Sequence, residues 1–217
     1  MSKVAVILSG CGVYDGAEIN EAVLTLLSLE QQGAAYQCFA PDIEQMHVIN
    51  HLTGEPVEGE SRNVLVEAAR IARGNVLALA GASADDYDAL LVPGGFGAAK
   101  NLCDFAVAGS DMAVNPEFLA LARAFHAAGK PIGLICIAPV MAAAICGDGT
   151  ACTIGNDAET AAAIEAMGGR HLECPVSEAR VDADNKMVTT PAYMLAGSVS
   201  EAYAGISNCV KEVLALA

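Results

Sequence analysis

Short apolar runs alternate with longer stretches of helical period along the whole chain. Val4-Ala-Val-Ile-Leu-Ser9 is uninterrupted and apolar, the mark of a strand buried on both faces of a parallel sheet. Residues 17–32 follow with apolar side chains at Ile19, Val23, Leu24, Leu26, Leu27 and Leu29, and Gly33 supplies a stop, which predicts a helix. Residues 35–40 read as a second strand closed by Pro41, so the chain opens as strand, helix, strand. The alternation continues with helices over 63–72, 117–128 and 157–167, the last capped by Asn156, and over 199–215. Strands are predicted over 76–80, 89–92, 131–135, 152–154 and 186–190. Residues 41–63 lack a clear period. They are long for a plain connection, and long loops usually carry function.

This pattern has no repeat and no linker. It predicts one α/β domain over residues 1–217, with a mostly parallel sheet covered by helices on both faces. Ligands in such sheets bind beyond the carboxyl ends of the strands. Four loops leave those ends: Ser9-Gly10, Val92-Pro-Gly-Gly95, Ile135-Cys136 and Thr190-Pro191. The Gly10-x-Gly12 pair does not make a dinucleotide fingerprint, because Asp15 stands where a third glycine is needed and no acidic residue ends the second strand.

Composition narrows the function. Twenty-six acidic against 11 basic residues give a net charge of −15, which argues against nucleic acid and anionic membrane surfaces as partners. No apolar stretch reaches membrane-spanning length, since Pro139 and Gly147 break the best candidate. The eight cysteines form no CxxC pair and no Cys/His cluster of zinc spacing, so no zinc site is expected, and with the dinucleotide fingerprint missing no cofactor is expected. With no pattern of an export signal after Lys3, these thiols are expected to be reduced in a cytoplasmic protein.

Candidate chemistry centres on Cys136. No charged residue occurs from Pro131 to Gly147, and the apolar run into Cys136 is followed almost at once by an Ala-rich segment with Pro139 in its first turn. This predicts a strand, a sharp corner and a helix: a nucleophile elbow with Cys in place of Ser. Free N–H groups and the macrodipole at the helix start are expected to favour a thiolate.

Several motifs together carry a family resemblance: Ser9-Gly-Cys-Gly-Val-Tyr-Asp-Gly16, His47-Val-Ile-Asn-His-Leu-Thr-Gly54, Val92-Pro-Gly-Gly-Phe-Gly-Ala-Ala-Lys-Asn-Leu102, Cys136-Ile-Ala-Pro139 and Val188-Thr-Thr-Pro-Ala-Tyr-Met194. The chain resembles the PfpI-like, class I glutamine amidotransferase-like superfamily. Within it, the chain resembles the ElbB family of isoprenoid biosynthesis glyoxalases, also called enhancing lycopene biosynthesis protein 2. The resemblance implies a flavodoxin-like three-layer sandwich, a homodimer, and a glyoxalase activity on methylglyoxal-type dicarbonyls without glutathione or metal. In the superfamily, amidotransferases complete a triad with a downstream His and Glu, and PfpI-type proteases carry a His directly after the Cys; here that position is Ile137 and only His171 follows, so neither chemistry is expected.

An ungapped count back from Gly33, as related chains would align, points to Glu21 as the partner acid, ahead of Glu18 one turn earlier. Backbone N–H groups of Gly94, Gly95 and Ile137 are candidates for holding an oxyanion. His51, His47, Tyr193 and Cys11 are further candidates to line the site, with Cys103 as another thiol near converging loops. The apolar excursion Met46–Leu52 is a candidate homodimer contact. Three functions remain open at this point: a Cys136 glyoxalase acting on small 2-oxoaldehydes, a cysteine-based redox or stress protein without turnover, and a non-catalytic interaction protein.

Overall fold

The computed structural model describes all 217 residues. Its seven-stranded sheet is built from β1 (Lys3–Ile7), β2 (Ala35–Ala40), β5 (Val76–Ala78), β6 (Ala89–Val92), β7 (Ile132–Ile135), β10 (Arg180–Asp182) and β11 (Met187–Thr190). The order is β10-β11-β7-β6-β1-β2-β5. Every pairing is parallel except that of β10 with β11. Two small ribbons stand outside the sheet, β3 (Ile49–Asn50) with β4 (Glu55–Pro56) and β8 (Ala151–Cys152) with β9 (Arg170–His171).

Side-chain alternation along the strands divides the core in two. Val4, Val6 and Leu8 face α1 (Ile19–Gln31) and α7 (Val199–Leu216), and α2 (Val64–Ile71) adds Val64 and Ala68 to the same layer. Ala5 and Ile7 face the other way, toward Phe118, Leu121 and Phe125 of α4 (Pro116–Ala127). The result is the flavodoxin-like three-layer sandwich expected. The sheet builds outward from β1 through β2 to β5 on one side and through β6 to β7 and β11 on the other. The reversal at β1 and β6 is the place where α/β folds open a crevice.

Three local expectations change. The segment after Cys136 begins as a 3-10 turn (Ala138–Met141), and its α-helix, α5 (Ala142–Cys146), is very short. The cap of α6 (Ala158–Ala166) is Asp157, whose side chain accepts from Thr160 N–H, and not Asn156. Ala98–Leu102 forms a π-turn and Phe105–Ala108 a short helix, α3, where no element was predicted. Helix α1 buries Leu24 and Leu29 together with Glu21, Thr25 and Ser28, while Ile19, Val23 and Leu27 are exposed. Thr25 and Ser28 satisfy their hydroxyls on the carbonyls of Glu21 and Leu24.

In the 41–63 excursion, Val48 and Ile49 are buried against their own chain and Leu52 is fully exposed. No helix is long and apolar enough to cross a membrane.

Candidate active site

Cys136 leaves the end of β7 in a left-handed conformation (φ 63°), a strained corner for a residue with a side chain. Its N–H donates to the carbonyl of Thr190 at the end of β11, and only 7% of its surface is exposed. Glu21, near the start of α1, is completely buried beside it. Both carboxyl oxygens accept backbone N–H groups from other loops: Oε2 from Gly94 at 3.0 Å and Oε1 from Tyr193 at 3.1 Å. Tyr193 presents its N–H after a second left-handed corner, Ala192 (φ 44°). Loops after β6 and β11 therefore clamp one acid from two sides.

Gly94 explains why acid and thiol can meet. A Cβ at that position would collide with Cys136 Cβ and come within 2.7 Å of Glu21 Oε2. Its N–H is committed to Glu21, so Gly94 is not the free oxyanion donor expected from the sequence. Gly95 and Ile137 remain in that role. Their N–H groups face the sulfur, and both residues line the cleft over Cys136. Gly95 (φ 91°) sits against the backbone of Gly16 to Glu18, where a side chain has no room. The loop is held in place by Phe96 N–H on Val13, Gly97 N–H on Gly16 and Glu18 N–H on the Gly94 carbonyl.

Electrostatics correct one expectation and refine another. The thiol is pushed well above its ordinary value by burial and then by the charge of Glu21, with the Gly95 and Ile137 N–H groups opposing. A short 3-10 turn and a five-residue helix do not offset that burial. Cys136 therefore rests as a thiol and not as the thiolate expected. Burial raises Glu21 to about 7, against the N–H of Tyr193, the thiol of Cys136 and the N–H of Gly94, with the charge of Glu18 adding to the rise. At neutral pH this carboxyl is poised to give or take a proton.

Glu18 caps α1, its Oε2 accepting from Glu21 N–H at 2.7 Å, and it lines the cleft. The Tyr193 side chain also lines the cleft, and its hydroxyl accepts from Asn20. His51 is not part of the site. Its Nε2 accepts from Tyr14 N–H, its Nδ1 lies 3.1 Å from the Ile49 carbonyl, and it sits 3.8 Å from Asp15. His47 lines a separate shallow hollow with Glu44 and Glu58. Cys11 is half-buried away from the cleft and its thiol is raised by burial. Cys103 is buried and donates to the Ala98 carbonyl. No group of three or more His, Cys, Asp or Glu side chains is placed to hold a metal.

The cleft encloses about 620 Å³, with walls from Phe96, Phe105, Ala163 and Met194 and a rim carrying Asp157 and Glu159. Residues of α3 and α6 in this wall are absent from the sequence-derived site. The motifs around Cys136 and Gly94 carry a local signal, whereas α3 and α6 reach the cleft only through folding.

No family model matches the chain. It is 52% identical over 224 residues to human glutamine amidotransferase-like class 1 domain-containing protein 3, mitochondrial, covering 99% of this chain and 83% of that one. The crystal structure of an Ehrlichia chaffeensis isoprenoid biosynthesis protein with an amidotransferase-like domain superposes with a TM-score of 0.93 at 38% identity. That match covers 100% of this chain and 99% of the other. Drosophila melanogaster DJ-1beta shares the fold alone, with a TM-score of 0.54 at 16% identity over 100% of this chain and 96% of its own. The human relative and a rat ES1 protein homolog are mitochondrial by name, which overturns the cytoplasmic setting expected from the free thiols. Reduced cysteines do not distinguish one reducing compartment from another.

Proposed function

This chain belongs to the family of ES1 proteins and glutamine amidotransferase-like class 1 domain-containing protein 3. From that premise and the site geometry, we propose a glutathione- and metal-independent glyoxalase that converts small 2-oxoaldehydes such as methylglyoxal and glyoxal to 2-hydroxy acids. The observation that carries the reading is a fully buried Glu21, with its carboxyl raised to about 7, against the Cys136 thiol under a cleft. The name of the Ehrlichia relative supports a connection to isoprenoid biosynthesis.

The chemistry needs no outside oxidant or reductant. Ionised Glu21 takes the Cys136 proton as sulfur adds to the aldehyde carbon, and the new oxyanion is held by the N–H groups of Gly95 and Ile137. Glu21 returns that proton to oxygen, giving a hemithioacetal. It then removes the proton from the same carbon and delivers it to the neighbouring carbonyl carbon through an enediol. A thioester of the 2-hydroxy acid results. Water cleaves it and restores the thiol, so the net reaction adds one water to the 2-oxoaldehyde. The direct test is lactate formation from methylglyoxal by the metal-free protein. No lactate above the level given by Cys136→Ser would reject the reading.

A second reading is favoured by the same carboxyl in its protonated form. Peroxide can oxidise Cys136 to a sulfinate, with Glu21 and Gly95 N–H donating to its oxygens. A Cys136-specific mass gain of two oxygens under mild peroxide, without turnover, separates this reading from the first.

We also propose that the protein is a homodimer. The exposed stripe of Ile19, Val23 and Leu27 on α1, together with exposed Leu52, supports it. A monomer mass by light scattering at micromolar concentration would remove this proposal.

A further inference from the structure

The cleft is much larger than a three-carbon dicarbonyl needs, and its charge is one-sided. Its volume of about 620 Å³ falls in the range of sites that hold ligands of drug size. Phe96, Phe105, Ile137 and Met194 give it apolar walls. Every charged residue lining it is acidic: Glu18 at the start of α1, and Asp157 and Glu159 at the start of α6. None of the three forms an ion pair within the chain. Asp157 and Glu159 are exposed, so their charge is available to whatever enters. Lys100, a cation near this wall, stands outside the lining, its Nζ 5.3 Å from the Phe96 ring centroid and donating to the Tyr14 carbonyl. A lining of one sign in a low-dielectric cleft concentrates ligands of the opposite sign and repels those of the same sign.

We infer that this cleft selects cationic carbonyl compounds with an apolar body, such as amino-aldehydes and amino-ketones, over carboxylate-bearing ones, and that Asp157 and Glu159 are the specificity determinants. The inference rests on the reading that Cys136 is the group that meets the substrate. The carbonyl carbon lies at the sulfur, the apolar portion runs along Phe96, Phe105 and Met194, and the cationic group faces the rim of α6. Anionic 2-oxo acids are the class the site rejects.

The test uses labelling of Cys136, which does not depend on turnover. Three methanethiosulfonates of similar size are compared, carrying a trimethylammonium, a neutral alkyl or a sulfonate group. Each transfers its thioalkyl group to the Cys136 thiolate as a mixed disulfide and releases methanesulfinate. Rates at Cys136 are read by peptide mass mapping and divided by the rates of 2-mercaptoethanol with the same reagents.

The expected cation-to-anion ratio is roughly tenfold or more at low salt, shrinking as salt screens the rim. In Asp157→Asn/Glu159→Gln the ratio falls several-fold. Asn is as good a cap for α6 as Asp, and the change removes only two of fifteen excess negative charges. A normalised ratio near one in the native protein overturns the inference. So does a ratio that the double variant leaves untouched, which would trace it to the charge of the whole molecule. Failure of all three reagents to reach Cys136 overturns it as well.

A turnover arm compares phenylglyoxals bearing a para trimethylammonium or a para carboxylate, with the same order expected in kcat/KM. Absence of turnover with clear labelling selectivity rejects the glyoxalase reading and leaves the inference standing. Lactate formation from methylglyoxal with no charge selectivity does the reverse.

Discussion

Two buried carboxyl groups flank the start of α1 and have different surroundings. Asp15 is 3% exposed; its Oδ2 accepts Ile49 N–H at 2.7 Å and His51 stands 3.8 Å from Oδ1. Glu21 is fully buried, accepts N–H groups from Gly94 and Tyr193, and faces a thiol at the floor of a cleft. Asp15 ties the excursion at Ile49 to the Gly-rich loop, and Asn101 reinforces that tie by bonding the carbonyls of Ser9 and Asp15 and the N–H of Met46. The difference shows that burial alone does not mark a reactive acid. What distinguishes Glu21 is a neighbouring thiol and room for a ligand above it.

Neutralising each acid separates their roles. Glu21→Gln is expected to lower dicarbonyl turnover by about 10²-fold or more while Cys136 can still be alkylated. Asp15→Asn is expected to cost less than about tenfold in turnover. Steady-state rates on folded variants decide it, and equal losses would erase the distinction. Glu18→Gln should fall near Asp15→Asn, because Glu18 serves as a helix cap.

Next in size is a pH effect. The Glu21 carboxyl is raised from 4.5 to about 7 by burial, so the folded state holds its proton more tightly than the unfolded state does. The stability tied to that proton is present below about pH 4.5 and is lost as pH rises through about 7, an effect of roughly 3 kcal/mol. Denaturant unfolding across this window should show the decline in the native protein relative to Glu21→Gln. The offset between the two proteins is less informative, because an amide leaves one of the two N–H donors facing another donor. A parallel pair of curves would show that Glu21 ionises normally.

Glycine substitutions sharpen the comparison further. Gly94→Ala places a Cβ against Cys136 and Glu21 themselves, so it should lower both turnover and stability, the latter by about 1–3 kcal/mol. Gly12→Ala meets the His51 ring at 2.6 Å in a left-handed conformation (φ 133°), and it should lower stability with little loss of turnover. Paired melts and rates test the contrast. The smallest effect expected is that of His51→Ala, about 1 kcal/mol of stability from the bonds to Tyr14 and Ile49. A loss of turnover there would return His51 to the site.

Much of the architecture was legible in local pattern. The runs at 4–9, 89–92 and 131–135 are apolar because both faces of a central parallel strand are covered, and that requirement acts residue by residue. Asn63 and Asn115 cap helices where their side chains reach the first free N–H groups, which is also a local matter. The Cys136 corner could be read from its neighbours for the same reason. In helix α1 the period alone did not decide which positions are covered: Glu21, Thr25 and Ser28 are buried while Ile19, Val23 and Leu27 are exposed, and the Thr25 and Ser28 hydroxyls are satisfied on carbonyls of their own helix.

Tertiary structure alone decided what Glu21 is. Its burial, its two N–H donors from loops after β6 and β11, and its contact with the sulfur come from segments far apart in the chain. The state of the Cys136 thiol was likewise not local: the helix start favours a thiolate, but desolvation and the nearby carboxyl outweigh it. The rim of Asp157 and Glu159 became part of the site only when α6 folded over the cleft. The sequence by itself determined most strands of the main sheet, the long helices over them and where the corner falls, because backbone sterics and side-chain period act over a few residues. Proton affinities and cleft charge depend on what is brought close from elsewhere, so the fold had to supply them.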